Sequence, residues 1–427
     1  MYLIAADAEQ YDRKRNVTIL KYQKLLYTLS GTAVPDNYSA NHKVVSGFFN
    51  RFITQENQYL LGNGVILEQD SNKEKLGVNF DGKLQEAGRD ALVQGVSFGF
   101  WNFDHLEVFK LTEFAPLYDE ENGALMAGIR FWQVTSDKPL RATLYELDGY
   151  TEYIQRKSKP IEELQAKRAY RQIKVESVAD GTQIYDLGNY PGFPIVPLWG
   201  NPHRQSELVG IRESIDCYDL IKSGFANDLD DASMIYWTLE GAGGMDDISL
   251  AQFVERMKTV KAAVVDGDAG AKAEAHTLEV PYQSRVAYLE RLEHDLYRDA
   301  QILDIDSLSA AAKTATEINA AYQPMDNKVD QYEYCVIEFL HGIFAIAGIE
   351  DNPTFKRSRI VNQTEETQMV LMAAQYLDDE TILNKLPFLT PEEAQEALDR
   401  RNKLEQQRIP DVPEEPLDNP EELPVEE

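Results

Sequence analysis

Two long amphipathic segments on either side of residues 232–281 constrain the fold more than any other feature of this sequence. They span residues 206–231 and 282–303, and in both the apolar side chains return every three, four or seven positions, the period of a helix with one buried face. The residues that carry this period are Leu208, Ile211, Ile215, Tyr218, Phe225, Leu229, Val286, Leu289, Leu292 and Leu296. Between them, the sequence predicts strands at 234–239, 262–265 and 277–280 and a helix at 249–260. We therefore expect a compact α/β insert between two long helices.

The N-terminal half predicts helices and short strands together, an α+β arrangement. Helical periodicity occurs at residues 17–29, 41–61 and 84–93. Short runs of β-forming residues follow at 98–111, 127–134, 142–147, 151–155, 173–175 and 183–186. Turn residues at 121–123 and 148–149 separate some of these runs, which is typical of an antiparallel meander. A stiff proline-rich connector at 191–197 then leads to the first long helix.

The C-terminal part is predicted to be helical. After a loop of small residues at 304–312, a third long helix is expected at 314–347, with a kink at Pro324. Shorter helices are predicted at 365–376 and 391–404. Residues 409–427 alternate proline with acidic residues and have almost nothing apolar to bury, so they are predicted to be disordered.

Charge and cysteine content exclude several classes of protein. The chain has 42 lysines and arginines against 72 acidic residues, a net charge of −30, and such a surface argues against tight wrapping of DNA. The only cysteines, Cys217 and Cys335, exclude a disulfide framework and a four-cysteine metal site. The most apolar window, 336–349, contains Glu338 and His341 and is too short and too polar to span a bilayer.

One stretch of the sequence contains a candidate nucleophile. Gly95-Val96-Ser97-Phe98-Gly99 matches the G-x-S-x-G pattern of serine hydrolases, but that motif needs a strand before the serine and a helix after it. Here the predicted helix comes first and the strand follows, which favours a plain turn. A serine hydrolase that uses Ser97 stays as the alternative function.

Cofactor and metal motifs are weaker still. The glycine-containing stretch 267–272 has the wrong spacing for a phosphate-binding loop, and no two histidines stand four residues apart. The acidic stretch 227–231 is either a hard-cation site without the glycine and terminal glutamate of a calcium loop, or the solvated end of a helix. We predict no catalytic residue, no cofactor and no metal.

Five groups of motifs follow one another along the chain. They are Asn41-His42-Lys43 with Tyr59-Leu60-Leu61-Gly62-Asn63; Pro194-Ile195-Val196-Pro197-Leu198-Trp199-Gly200-Asn201 with Ser206-Glu207-Leu208; Ile215-Asp216-Cys217-Tyr218-Asp219-Leu220 with Ser223, Asn227 and Asp228; Lys313-Thr314-Ala315-Thr316-Glu317-Ile318; and Asp378-Asp379-Glu380-Thr381 with Leu386-Pro387. In this order they resemble segments of the portal proteins of tailed bacteriophages, of the type found in phages of Gram-positive hosts. Cys217, where a small residue is usual, and the long Pro/Glu tail depart from that pattern.

The resemblance implies a portal fold whose parts follow the predicted segments. They would be an α/β wing (1–201), a first stem helix (202–231), a small α/β clip (232–281), a second stem helix (282–303), a tunnel loop (304–314), a kinked long helix returning to the wing (315–363), a helical crown (364–408) and the disordered acidic tail (409–427).

The resemblance also implies a function, partners and a location. The chain would be one subunit of a ring, usually of twelve copies, at one vertex of the phage capsid. Double-stranded DNA would pass through its channel during packaging and ejection. The terminase large subunit, the head–tail adaptor and the major capsid or scaffold protein would be partners, with no membrane involved. The protein would reside in the virion, and in the host cytoplasm during assembly. A non-portal structural protein of the virion is the remaining alternative.

Within this resemblance, three groups of residues become candidates. Ser307, Ser309 and Lys313 would lie near DNA, or in a plain helix-joining loop. Lys258 and Lys261 would contact partners at the clip, or be ordinary surface lysines. Intervals of six and seven suggest that Arg285, Arg291 and Arg298 share a broad face of the second stem helix. They would pair with Asp216, Asp219 or acidic residues of a neighbouring subunit, or be solvated.

Overall fold

A computed structural model describes residues 2–27, 31–36, 40–157, 159–177, 183–232, 236–240, 272–276, 282–306, 315–359, 363–386, 389 and 391–408. The helices are α1 (Tyr2–Asp12), α2 (Val17–Lys21), α3 (Phe48–Leu61), α4 (Asp70–Lys75), α5 (Phe80–Gln94), α6 (Arg212–Ala232), α7 (Tyr282–Asp299), α8 (Ala315–Ala347), α9 (Gln363–Ala373), α10 (Asp379–Lys385) and α11 (Pro391–Arg408). The longer strands are β4 (Val96–Asn102), β5 (His105–Lys110), β6 (Phe114–Tyr118), β7 (Leu125–Trp132), β8 (Leu140–Glu146), β9 (Gly149–Gln155), β10 (Glu162–Arg168), β11 (Arg171–Ser177), β12 (Gln183–Gly188) and β13 (Ile195–Trp199).

Six short strands complete the described set: β1 (Leu25–Tyr27), β2 (Ala33–Pro35), β3 (Val65–Ile66), β14 (Tyr236–Glu240), β15 (Lys272–His276) and β16 (Thr354–Phe355). The described strands pair antiparallel, which confirms the predicted α+β class. In the described chain, no helix is both long and apolar enough to cross a membrane.

The chain divides into two units. The first contains Met1–Ala310 and Ala321–Ser358, and the second contains Ala311–Ala320 and Arg359–Glu427. In the second unit, α10 and α11 pack against each other and Arg401 pairs with Asp379 at 2.8 Å.

The first unit is built on a meander and a smaller sheet. An antiparallel meander has the strand order β10-β9-β8-β7-β6, in which β7, β8 and β9 were predicted and β6 and β10 were not. The predicted run at 98–111 belongs instead to β4 and β5 of a second sheet, in the order β13-β4-β5, and the runs at 173–175 and 183–186 pair with each other as β11 and β12 in a separate sheet. Their facing side chains form an aromatic core with Phe98, Phe100, Phe109 and Phe114 at its centre. The sequence predicts Phe98, Phe100, Trp101 and Phe103 as core residues; the first three are buried, whereas Phe103 is 47% exposed. Gly128 is required here, because a Cβ atom on it would come within 2.0 Å of the Phe114 ring.

Several helix boundaries differ from the sequence prediction. The helix expected at 17–29 ends at Lys21, and residues Leu25–Tyr27 form β1 instead; among the side chains described at 17–25, only Ile19 is buried in the core. The helix expected from residue 41 begins at Phe48, since the backbone before it is bound by side chains of α6. Helix α1 was not predicted, because its buried face consists of Ala5, Ala8 and Tyr11 rather than large aliphatic residues.

The two long helices are confirmed with shifted ends. The first begins at Arg212 rather than 206, after a turn in which the Ser206 hydroxyl donates to the Val93 carbonyl at 2.5 Å. The second is Tyr282–Asp299, and the third contains Pro324 as expected. Between the long helices, strand β14 corresponds to the predicted strand at 234–239, whereas β15 was not predicted. The helix at 249–260, the strands at 262–265 and 277–280 and the tail 409–427 lie outside the described residues.

Asp90 on α5 is a carboxyl group buried inside the first unit. It is 8% exposed, and the Lys110 ammonium lies 3.7 Å away. Burial raises its pKa from 3.8 to about 7, with nearby acids adding to the effect and Lys110 opposing it.

We expect Asp90→Asn to flatten the pH dependence of stability. Since the folded pKa lies above the unfolded one, this group stabilises the fold below pH 4, and that stability is lost as the pH rises to about 7. The free energy of unfolding of the wild type should therefore fall relative to the variant by about 3 kcal/mol across that range. Urea unfolding at pH 5 and pH 8 measures the difference, with the exposed Glu163→Gln, which does not act on Asp90, as control. An unchanged difference at the two pH values would contradict the buried-acid assignment.

Candidate functional site

Helices α6 and α7 pack side by side and run antiparallel. At one end the rings of Phe225 and Tyr282 lie 5.8 Å apart, and at the other Tyr218 and Tyr297 both contact Phe48, at 5.0 and 6.2 Å. The two helices contact each other, and Ile215 and Leu296 of their apolar stripes are buried in the core, whereas Leu229 near the end of α6 is 53% exposed. This pair is the element that the sequence placed at the centre of the function.

Three polar side chains on α6 bind the backbone of residues 42–46. Asp219 accepts a hydrogen bond from the Ser46 amide at 2.8 Å, Ser223 from the Val44 amide at 3.0 Å, and Asn227 from the His42 amide at 2.6 Å. The three side chains are at most 5% exposed. We call Asp219, Ser223 and Asn227 the polar ladder.

The polar ladder forms because the spacing of its side chains along the helix matches the spacing of alternate residues along an extended chain. Four helical residues rise about 6 Å, and two residues of extended chain span about 6.6 Å. Positions 219, 223 and 227 therefore meet alternate residues of an extended segment running in the opposite direction. Each such bond contributes roughly 1 kcal/mol, and more where the acceptor is charged.

The ladder continues into the N-terminal segment. Asn16 donates from its side-chain amide to Asp219 at 2.8 Å, and its oxygen caps α2 by accepting from the Thr18 and Ile19 amides. Burial raises the pKa of Asp219, while the hydrogen bonds from Ser46 and Asn16 act in the opposite direction. A single carboxylate thus fixes α2, the 42–46 segment and α6 together.

Asp216 lies one turn earlier and has different partners. The Tyr11 hydroxyl donates to it at 2.5 Å, and Arg212 lies 4.0 Å away. Burial and this hydrogen bond raise the pKa of Tyr11 to about 12, so the phenol stays protonated. Asp216 therefore attaches α1 to α6.

One interpretation of the sequence paired the three arginines of α7 with Asp216 or Asp219. Within the chain they have other partners. Arg285 pairs with Asp228 on α6, Arg291 pairs with Asp295 at 2.9 Å, and Arg298 pairs with Asp295 at 3.0 Å. They also do not share one face. An interval of six turns Arg285 about 120° away from Arg291. Arg285 therefore faces α6, whereas the other two are exposed.

The acidic stretch 227–231 is engaged by protein groups where its contacts are described. Besides the Asp228–Arg285 ion pair, Asp230 lies 2.6 Å from the His42 ring. Across the described residues, no cluster of three or more histidine, cysteine or acidic side chains could hold a metal ion. These contacts favour a helix end that binds its neighbours rather than a cation.

A buried charge cluster joins α3 and α8 to the turn before α6 and to the residue just after α7. The Lys328 ammonium of α8 lies 2.8 Å from Glu56 of α3 and 2.7 Å from Glu207 in the turn before α6, and it donates to the Ala300 carbonyl just after α7 at 3.2 Å. Glu56 is 1% exposed, and burial raises its pKa to about 7, opposed by Lys328. Lys328 has a raised pKa because the two carboxylates outweigh its own burial.

No sequence pattern pointed to Asn16, Glu56 or Lys328, and Glu207 was noted only as part of the motif Ser206-Glu207-Leu208. The polar ladder could have been recognised from the sequence, because Asp219, Ser223 and Asn227 recur every four residues and therefore lie on one face of the helix. The remaining candidates Ser307, Ser309, Lys313, Lys258 and Lys261 lie outside the described residues, so their roles stay predictions.

Ser97 is sealed inside the protein. It is 0% exposed on β4, and its hydroxyl donates to the Ala87 carbonyl at 2.7 Å. Gly95, which precedes it, ends α5 in the left-handed conformation with φ of 91°. Helix precedes strand, as predicted, and the buried hydroxyl gives the hydrolase alternative no support.

Comparison with known proteins names the family. A sequence model described as "Phage portal protein, SPP1 Gp6-like" matches residues 4–408. The portal protein of Clostridium phage phiCD119 is 22% identical over 439 residues, covering 96% of this chain and 97% of that one. The portal protein of Bacillus phage SPP1 is 23% identical over 412 residues, covering 88% and 79%. The chain belongs to the SPP1 Gp6-like family of phage portal proteins.

Solved structures with a similar fold include two from gene transfer agent particles. A chain from the neck of an empty particle, computed with C6 symmetry, covers 90% of this chain and 98% of its own at 11% identity, with a TM-score of 0.43. A chain from the virion of a native particle covers 78% and 88% at 11% identity, with a TM-score of 0.44.

Proposed function

We propose that copies of this chain form a ring of about twelve subunits at one capsid vertex, through which double-stranded DNA is packaged and later ejected. The match to the portal family over residues 4–408 carries this proposal. The antiparallel pair α6 and α7 supports it, because two long clamped helices suit a stem that lines an axial channel.

The proposed parts are those that the resemblance implies. The wing would be residues 1–201 and the stem would be α6 and α7. Residues 232–281 would form the clip, with Lys258 and Lys261 near the terminase or the head–tail adaptor. The loop at 304–314 would narrow the channel and place Ser307, Ser309 and Lys313 near DNA. The major capsid or scaffold protein would surround the ring, and assembly would take place in the host cytoplasm.

Net charge is consistent with a passive channel. A charge of −30 per chain becomes about −360 in a ring of twelve. Such a surface repels phosphate, so DNA would slide rather than be held by the counterion-releasing contacts that make DNA binding tight.

Electron microscopy of the purified protein and DNA packaging by a tunnel-loop variant test this proposal together. We expect rings with an axial hole wide enough for a duplex, and we expect Lys313→Ala to form the same rings while packaging severalfold less DNA. The measurement is nuclease-protected DNA per particle, with the exposed Lys138→Ala as the matched control. Particles without an axial hole would instead favour a non-portal structural protein. Wild-type packaging by intact Lys313→Ala rings would contradict the tunnel-loop assignment alone.

A further inference from the structure

Residues 13–43, which we call the arm, are basic in an otherwise acidic chain. The arm has six lysines and arginines (Arg13, Lys14, Arg15, Lys21, Lys24 and Lys43) against one acidic residue, Asp36. The rest of the chain then has 36 basic and 71 acidic residues. Such a local reversal of charge is typical of a segment that meets an acidic surface.

The root of the arm is fixed, and its outer part exposes apolar side chains. Ile19 is 3% exposed and Asn16 is bound to Asp219, so the first turn of α2 is held by the core. Further out, four large apolar side chains are 38–50% exposed: Leu20, Tyr22, Leu25 and Val34. Strands β1 and β2 pair with each other, and β2 is exposed along its whole length. Apolar groups presented on a paired hairpin are typical of a docking element.

The meander has a matching surface on its outer face. Side chains alternate between the faces of a sheet, and one face, with Phe114, Gly128 and Tyr145, packs on the aromatic core. The pairings Leu117↔Ala127 and Ile129↔Leu144 belong to the opposite face. On it, Leu117 is 62% exposed and Ile129 is 41% exposed. Antiparallel sheets normally present polar residues on a face that stays in water, so an apolar one indicates a partner.

An acidic turn borders this outer face. Asp119, Glu120 and Glu121 follow β6 directly, two residues beyond Leu117. Asp119 accepts hydrogen bonds from the amides of Glu121 and Asn122, which holds the turn in one conformation. On this surface, an exposed leucine therefore lies beside fixed negative charge. On the arm, Lys21 lies between the exposed residues Leu20 and Tyr22.

We propose that the arm of one subunit docks on the outer face of the meander of a neighbouring subunit, with Lys21 beside the turn at 119–121. This inference rests on the proposed ring. The two surfaces differ, so the contact is heterologous, and a repeated heterologous contact closes into a ring when the rotation allows it. The exposed apolar side chains of the arm favour binding to this protein surface, on which they can be buried. DNA phosphates would interact with the basic residues of the arm but not with these apolar side chains.

Cross-linking tests the contact directly. Tyr22→Cys and Leu117→Cys are combined in a Cys217→Ser, Cys335→Ser background and treated with a short bis-maleimide. We expect a ladder of covalent oligomers from the double-cysteine protein and none from either single variant. The matched control pairs Tyr22→Cys with Val78→Cys, a fully exposed position on the same unit. If the wild type forms rings but the Tyr22/Leu117 pair links no better than this control, the arm assignment is overturned while the ring proposal stands. A wild type that forms no rings overturns both.

A charge exchange gives a second, independent readout. We expect Lys21→Glu to raise the protein concentration needed for half-maximal assembly about tenfold and Glu120→Lys to restore it in the double variant, as measured by light scattering. Failure of Glu120→Lys to rescue assembly would contradict the pairing. If Lys21→Glu leaves assembly unchanged and instead abolishes binding of a duplex DNA fragment, the arm is a nucleic-acid contact and the proposal is wrong.

Discussion

Lys328→Met is expected to lower the free energy of unfolding by about 3 to 5 kcal/mol, because it removes the cation from a buried cluster and leaves its anions. Glu56, 1% exposed, would have no positive charge beside it, with Glu207 still nearby. Methionine fills most of the volume of the lysine stem, so the loss is electrostatic rather than a cavity. The carbonyl of Ala300 would also lose its donor, which loosens the end of α7.

The dependence of this loss on pH identifies its cause. In the variant, the folded pKa of Glu56 rises further above its unfolded value, so stability falls as the pH increases toward that folded pKa. Chemical unfolding should therefore show a smaller loss at pH 6 than at pH 8. The double variant Glu56→Gln, Lys328→Met is the matched control and should recover most of the lost stability at pH 8. If Lys328→Met lowers the free energy of unfolding equally at both pH values, and if adding Glu56→Gln recovers none of that loss, the charge cluster does not hold these helices together.

The sequence predicted the elements whose periodicity is long and continuous. Helices α6 and α7 and strands β7, β8 and β9 were predicted in this way, whereas β10, which is exposed along almost its whole length, was not. Helix α1 was not predicted because its buried face contains mainly alanines. Strand β1 was predicted as helix because leucine occurs readily in both structures. Local preference could not decide between them without the anchor at Ile19.

The contacts of the candidate site were beyond prediction, since they join distant parts of the chain. Asp219 binds residues 173 and 203 positions earlier, and Lys328 joins residues 56, 207 and 300. A sequence shows that Asp219, Ser223 and Asn227 share a face, but not which backbone they bind. The family motif that spans these residues therefore reflects a structural clamp as much as a functional surface.

Asp219→Ala should release that clamp, with a loss of about 2 to 4 kcal/mol in the free energy of unfolding. Its carboxylate accepts from Ser46 and Asn16, and both donors would lose this acceptor, Asn16 in a buried position and Ser46 in a partly buried one. The cost is partly offset, because the desolvation that raises the pKa of Asp219 disappears with the charge. We expect the amides of Ser46 and Val44 to exchange with solvent much faster than in the wild type, since they lie on the ladder.

The exposed acid Glu213→Ala on the same helix is the control, and it should change stability by less than about 0.5 kcal/mol. Because residues 42–46 connect the arm to α3, a released ladder also removes the fixed root from which the arm projects. Asp219→Ala should then lose the Tyr22–Leu117 cross-link between subunits even under conditions in which the monomer stays folded. Retention of both slow amide exchange at Ser46 and that cross-link would mean that α6 holds the segment through its apolar contacts, with Asp219 dispensable.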